Sequence, residues 1–370
     1  MSSHKVRDFL FSRLFFPKVV TIDRPGIIVS RTSSKYGGKG SRKRVLYYFE
    51  DIIVDLELAT IEVLGKKKAL DLWYEVGFDS GIRYALFGDK KGISLNKFPY
   101  ILDFIIKSLQ SAGASACDNY QYDEKKSILR TWGYDSVVSR KTGNEALFAG
   151  ILDGIFSMLL RLKVKTKYKV EKGKSILETC IYTNRPFRPE LSELELTKEL
   201  SSLNFPRIEY NFQLKTISTK KLIYFKAIDV SHSGKFVLKN FTLIPGEIGI
   251  FGIAAMHLRK RGLSDLCKKQ ITSKAESIAD GLFSDLNSVS KKVDYSRAIF
   301  SATGCGLLNV TEQKGIITAK IRYPPRTRYE CPYLRYLLTG FLQNIYNGIR
   351  SMSFNDDVLS NQLILKFKKL

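Results

Sequence analysis

SAGASACDNYQYDEKKSILRTW (Ser111 to Trp132) lies without gaps on FSATGCGLLNVTEQKGIITAKI (Phe300 to Ile321), and this alignment decides how the 370-residue chain is organised. Each segment opens on small residues that include a cysteine, Cys117 in one and Cys305 in the other. Each then carries a polar turn with an acid, Asp123-Glu124-Lys125-Lys126 against Glu312-Gln313-Lys314-Gly315, and closes on an apolar-rich run. Strand, polar turn, strand is a hairpin pattern, so the same hairpin is predicted twice.

The likeness extends outward from the hairpins. One residue of slippage later, NEALFAGILDGIF (Asn144 to Phe156) matches YLRYLLTGFLQNIY (Tyr333 to Tyr346) and sets Gly150 on Gly340. Upstream, KKALDLWYEVGFDSGIRYALF (Lys67 to Phe87) is similar to LSDLCKKQITSKAESIADGLF (Leu263 to Phe283), with Gly77 and Gly81 against Ala275 and Ala279. Small residues four apart share a helix face and admit a neighbouring backbone. Further upstream, Tyr47 to Gly65 and Phe241 to Gly262 turn apolar at helical spacing; Ile53, Leu56, Ala59, Thr60 and Val63 recur at three and four. Each half reads as a strand start, two helices, a hairpin, a third helix and terminal strands. Those strands fall around Lys163–Val170 and Ile176–Tyr182 in one half and Leu359–Phe367 in the other. The expected fold class is α+β, two tandem copies of a helices-on-antiparallel-sheet domain related by internal duplication. The expected boundaries are 1–183 for the first domain, with an N-terminal extension and a basic loop, and 207–370 for the second. Between them, 184–206 is a linker, marked by the prolines and acidic run of NRPFRPELSELELTKE (Asn184 to Glu199).

This order of elements resembles the 4-vinyl-reductase domain family, which is related to vesicle-tethering TRAPP subunits. The resemblance is carried by LIPGEIGIF (Leu243 to Phe251), WYEVGFDSG (Trp73 to Gly81), SATGCGLLNVTEQKG (Ser301 to Gly315) and LFAGILDGIFSMLL (Leu147 to Leu160). It covers about residues 18–183 and 207–370 and rests on order and spacing. It implies a sensor that binds a small aromatic or hydrocarbon ligand beneath the helices, with Trp73, Phe78, Tyr84 and Phe148 as pocket residues. Core packing is the other reading of those four. Some such domains hold zinc through cysteines and a glutamate. Here Glu171 and Cys180 match the closing positions of the first half and Cys331 precedes the third helix of the second, but the remaining ligand positions hold no cysteine. Zinc needs three or four close ligands, so neither metal nor cofactor is expected.

Composition narrows the partner. Lys plus Arg is 60 and Asp plus Glu 36, a formal net charge of +24, yet 44% of residues are hydrophobic. A disordered basic tail lacks that apolar content, and five cysteines with no CxxC pair exclude a disulfide scaffold. The cysteine usage points to a reducing, cytoplasmic setting. The apolar run Ala146–Leu160 contains Asp153 and is shorter than the roughly 18 to 20 residues of a membrane span, so it reads as a core helix. His4, His232 and His257 each lack a partner at ligand or catalytic spacing, and no enzymatic constellation emerges. Such an excess of positive charge suits a polyanion or an acidic membrane face.

Three segments localise the charge. In RLKVKTKYKVEK, Lys163, Lys165, Lys167 and Lys169 alternate with Val164, Thr166, Tyr168 and Val170. In a strand this sets four ammonium groups in one row about 6.5 to 7 Å apart, close to the phosphate repeat of a nucleic-acid strand. The row also suits an edge strand that repels edge-to-edge pairing. SSKYGGKGSRKR offers a basic finger with Lys35, Tyr36, Lys39, Arg42, Lys43 and Arg44, and RYPPRTR a stiff loop with Arg322, Arg326 and Arg328. Lesser clusters are Lys66–Lys68, Lys90–Lys91, Arg259–Arg261, Lys268–Lys269, Lys291–Lys292, and Lys366, Lys368 and Lys369. Placement at predicted helix C-termini accounts for Lys66–Lys68 and Arg259–Arg261. The expected function is a non-catalytic regulatory protein on tandem small-molecule-sensor-like domains with a basic surface. The alternative is a nucleic-acid or ribonucleoprotein binder with a vestigial pocket. Expected partners are nucleic acid or another polyanion, a small hydrophobic ligand, and a protein partner or second copy through the small-residue helices.

Overall fold

A computed structural model describes residues 20–30, 43–85, 92–111, 115–136, 138–171, 174–189, 216–230, 235–325, 332–357 and 361–370. Its centre is a six-stranded sheet with β3 (Lys43–Phe49) paired antiparallel to β11 (Phe241–Glu247). Outward on one side lie β2 (Ile28–Ser30) and β1 (Val20–Thr21), and on the other β10 (Phe236–Leu238) and β9 (Ile228–Val230). In the central pair Tyr47 faces Pro245. Proline has no N–H to contribute to a ladder. The strand accommodates it because β10 pairs along β11 only from Phe241 to Leu243. Tyr47 sends its N–H to the Thr303 carbonyl at 3.0 Å.

From β3 the chain runs through α1 (Glu50–Leu64), α2 (Lys66–Ala85) and α3 (Phe98–Ser111). It continues through β4 (Ser115–Ala116), β5 (Asn119–Asp123), β6 (Ile128–Ser136), a short α4 (Ser139–Thr142), α5 (Ala146–Leu160), β7 (Leu162–Glu171) and β8 (Lys174–Pro186). After α6 (Thr219–Tyr224), β11 leads into α7 (Ile250–Lys260), α8 (Ser264–Phe283), α9 (Val289–Ala302), β12 (Leu307–Gln313) and β13 (Ile316–Arg322). Then come α10 (Pro332–Tyr346), β14 (Ile349–Asp357) and β15 (Gln362–Lys369). The outer sheets are antiparallel, β5-β6-β8-β7 with β4 also on β6, and β12-β13-β15-β14. The fold is α+β, and the order of pairing is the same in both sheets. Shifting the bounds of β3 and α2 by 198 gives those of β11 and α8.

The helix pair over each sheet repeats in detail. A Cβ built on Gly150 of α5 would stand 2.2 Å from the Tyr74 carbonyl oxygen of α2, and one on Gly77 would stand 2.0 Å from that of Leu147. A Cβ on Gly81 would likewise stand 2.3 Å from the Ile151 carbonyl oxygen, and one on Gly154 would stand 2.2 Å from that of Phe78. The two backbones therefore touch. In the second half a Cβ built on Gly340 of α10 would stand 2.4 Å from the Thr272 carbonyl oxygen and 2.7 Å from Ala275 Cβ. Ala275 sits where Gly77 sits in the first half, as the alignment places it.

The halves do not keep separate cores, which differs from the expected two-domain division. One hydrophobic cluster runs from Val20 to Phe367 through both, and a second fills the outer part of the first half. Side chains of β3 enter the second half: Tyr48 packs on Phe251 and Tyr333, and Phe49 on Phe241 and Phe341. Buried polar groups seal the same junction. Arg83 Nε meets Glu247 Oε1 at 2.7 Å with both side chains almost fully covered, and Glu247 Oε2 accepts the Gly249 N–H at 2.7 Å. His257 lies between Asp79 at 2.8 Å and Glu75 at 3.2 Å, so it joins α7 to α2. The expected linker also shifts: Asn184–Pro186 complete β8, while 190–206 lie outside the described residues.

Two substitutions check this packing. Gly77→Val should destabilise by at least about 3 kcal/mol, because the new side chain meets backbone that has no rotamer to adjust. Glu247→Ala should cost about 3 to 5 kcal/mol by leaving Arg83 charged and buried. Urea unfolding monitored by circular dichroism reads both, and wild-type midpoints would contradict the close packing.

Candidate nucleic-acid interface

β7 is an edge strand, and alternation puts Val164 and Thr166 on the buried face of its sheet and all four lysines outside. Asp153 fixes the strand from beneath. Its carboxylate accepts the Thr166 N–H at 2.9 Å, the Thr166 hydroxyl at 2.5 Å and the Tyr74 hydroxyl at 2.7 Å. Burial raises the Asp153 pKa, and these hydrogen bonds oppose the rise. The lysines differ in their surroundings. Lys165 Nζ lies 3.5 Å from the Tyr74 ring centroid, and Lys169 pairs with Glu171 at 2.5 Å. Lys163 and Lys167 have no carboxylate partner among the described residues. Lys167 stands opposite Glu178, whose carboxylate is taken by Arg130 at 2.9 Å.

The second sheet presents a comparable face that the linear sequence does not assemble. Strand alternation and register put Lys320 beside Ile364, Lys366 beside Thr318, and Lys368 beside Ile316 and Arg350. Arg322 is exposed at the end of β13. Asn309, Thr311, Gln313, Lys314, Ile316, Thr318 and Lys320 line an open trough of about 750 Å³. The outward rows of β12, β13 and β15 carry no carboxylate among the described side chains, and by register the row of β14 ends on one acidic position, Asp357 opposite Gln362. The sequence signal for this face is the i, i+2 spacing of Lys320 with Arg322 and of Lys366 with Lys368. That signal is weak, because two cations at such spacing read equally well as separate minor clusters.

The basic finger divides differently. Arg44 is buried and does not face a partner, which corrects its assignment to the interface. Its guanidinium donates to the carbonyls of Gly26 at 2.8 Å, Gly304 at 2.8 Å, Tyr323 at 2.6 Å and Pro324 at 2.9 Å. It gathers three turns onto the start of β3. Lys43 opens β3, and Lys35, Tyr36, Lys39, Arg42, Arg326 and Arg328 lie outside the described residues.

The four pocket candidates are distributed through packed regions. Trp73 belongs to the shared core and Phe148 to the outer cluster of the first half, both buried. Phe78 and Tyr84 are half-buried against that outer cluster, and Phe78 meets the Tyr74 and Phe187 rings at 6.2 and 5.9 Å. Among the described residues no group of three or more His, Cys, Asp or Glu is placed to hold a metal, and no helix is long and apolar enough to cross a membrane. Compared with protein-family models, curated proteins and solved structures, the chain matches none.

Buried carboxylates make the scaffold pH-sensitive. Glu57 on α1 accepts a hydrogen bond from the Asn144 amide, and Glu145 accepts one from the Ser175 hydroxyl at 2.7 Å. Burial, with a smaller contribution from Glu145, raises the Glu57 pKa from 4.5 to about 7, against the hydrogen bonds from Asn144 and Thr142. The folded state thus holds this proton where the unfolded state has lost it. Stability from this group falls as pH rises from about 4.5 to about 7 and is flat above, a loss of about 3 kcal/mol. Glu57→Gln should therefore be more stable than wild type at pH 8 and similar to it at pH 4.5. Thermal melts at the two values measure this, and equal differences at both would contradict it.

Proposed function

We propose that the protein is a non-catalytic nucleic-acid-binding protein that engages phosphate backbones through the outward faces of its two outer sheets. The observation that carries this is the face of the second sheet, where Lys320, Arg322, Arg350, Lys366 and Lys368 stand on one surface against a single acidic register position, Asp357 at its end. Like charges held together on a rigid sheet repel, and an anionic partner relieves that repulsion while releasing its own counterions. The lysine row of β7 supplies a second cationic surface of the same construction. Strand alternation presents charges at a fixed repeat, which suits a periodic polyanion better than a compact one.

The repeated element order and the matching helix packing support an origin by internal duplication and a 4-vinyl-reductase-like ancestry. They favour binding over sensing in this chain. Trp73 and Phe148 are occupied in packing, and the backbone approach of α2 to α5 closes the space between those helices. Among the described residues no arrangement of side chains favours base-specific reading.

Fluorescence anisotropy with mixed-sequence RNA and duplex DNA tests the proposal across a salt series. Binding should weaken steeply with salt. Combined Lys320→Glu, Lys366→Glu and Lys368→Glu should weaken it further and reduce the salt slope by about one for each phosphate that is no longer neutralised. Wild-type affinity in that variant, or no binding by wild-type protein at low salt, would refute it.

A further inference from the structure

The outward face of the first sheet carries aromatic rings among its cations, and acids paired with some of them. Side-chain alternation along β8 turns Ile176, Glu178, Cys180 and Tyr182 outward, and on β6 it turns Ile128, Arg130 and Trp132 outward. Tyr182 is 36% exposed and stands opposite Lys163. Trp132 is only partly buried and is paired on its other side with Asn119 of β5. Between them run two mixed rows, Lys165–Cys180–Ile128 and Lys167–Glu178–Arg130. The acids near this face have cations beside them: Glu178 has Arg130, Glu171 has Lys169, Asp118 has Lys174, and Asp123, opposite Ile128, has Lys126 at 3.9 Å.

We infer that this face is a stacking platform for single-stranded nucleic acid, with Tyr182 and Trp132 as base-stacking rings and Lys163 and Lys167 as phosphate-binding cations, while Lys165 is held on the Tyr74 ring on the helix side. The inference rests on the nucleic-acid reading above and adds the form of polymer and the residues that select it. A duplex buries its base faces in its own stack, so rings on an open sheet can stack on bases only in an unpaired strand. The geometry gives a site size. Six residues of β8 separate Ile176, level with the lower rows, from Tyr182, a span of about 20 Å. A strand of three to four nucleotides covers roughly that length, with Lys163 and Lys167 alongside it about 13 Å apart, roughly every second phosphate. Arg185, 5.2 Å from the Tyr182 ring centroid, lies on that ring and would add a cationic plane beside a stacked base.

The experiment uses the full chain and three probes: an eight-nucleotide single-stranded RNA, the DNA strand of the same sequence, and the corresponding duplex DNA. Tyr182→Ala and Trp132→Ala should each weaken single-strand binding about tenfold, leave duplex binding within about twofold, and leave the salt slope unchanged. Tyr182→Phe should retain wild-type affinity, which separates loss of a ring from loss of fold, and circular dichroism checks Trp132→Ala. Comparable weakening in the RNA and DNA arms assigns the site to single strands in general, and weakening in the RNA arm alone assigns it to RNA. Wild-type single-strand affinity in both alanine variants, or equal weakening for strand and duplex, would overturn the platform while leaving the proposed function standing. Absence of binding to all three probes by wild-type protein at low salt would overturn both.

Discussion

The antiparallel pairing of β3 with β11 sets everything else in the molecule. The two strands that open the halves face one another residue for residue, so each half begins at the other's edge. Shifting residue numbers by 198 carries Tyr47 onto Pro245, its own partner in the ladder. The wings follow the same symmetry, β2 and β1 to one side and β10 and β9 to the other. With the strands joined there, their large side chains must enter the opposite half. Tyr48 and Phe49 do so, and the result is a common core instead of two adjacent ones.

A junction of that kind has polar consequences. Helices α2 and α7 end up side by side, and their charged residues meet in a place water reaches poorly. Arg83 pairs with Glu247 of β11 there, both side chains almost fully covered, and His257 lies between Asp79 and the half-exposed Glu75. Buried ion pairs are weak sources of net stability but costly to break, so they specify how the halves meet. Arg44 belongs to the same class, since its four carbonyl partners come from turns that β3 alone could not hold. Part of the remaining positive charge stands on the outer sheets, and part on helix surfaces such as Lys66–Lys68 and Lys268–Lys269. On the outer sheets it is held on surfaces stiffened from below by Asp153 in the first half and by the α8–α10 packing in the second.

Much of the fold was legible because it depends on local periodicity and on small residues. The hairpins around Cys117 and Cys305, the buried helix Ala146–Leu160 and the match of Gly150 to Gly340 all follow from patterns a few residues long. The wings β1, β2, β9 and β10 were not legible, since strands of two or three residues carry too little alternation to stand out. At the surface, the lysines of β7 could be grouped because they alternate along one strand. Those of the second sheet could not, because Lys320, Arg350, Lys366 and Lys368 come from three strands whose register is a tertiary fact.

By itself the sequence determined the α+β class, the repeat of hairpin and helix, and the excess of positive charge. Those properties belong to residue type and spacing, which pairing partners do not alter. Tertiary structure alone decided which cations face solvent and which are consumed inside. Arg44 and Lys163 are both cations at the start of a strand, but one is covered by three turns and the other stands on the open side of an edge strand. Burial is a property of what packs against a side chain, and for Arg44 three of those four carbonyls lie more than 250 positions away.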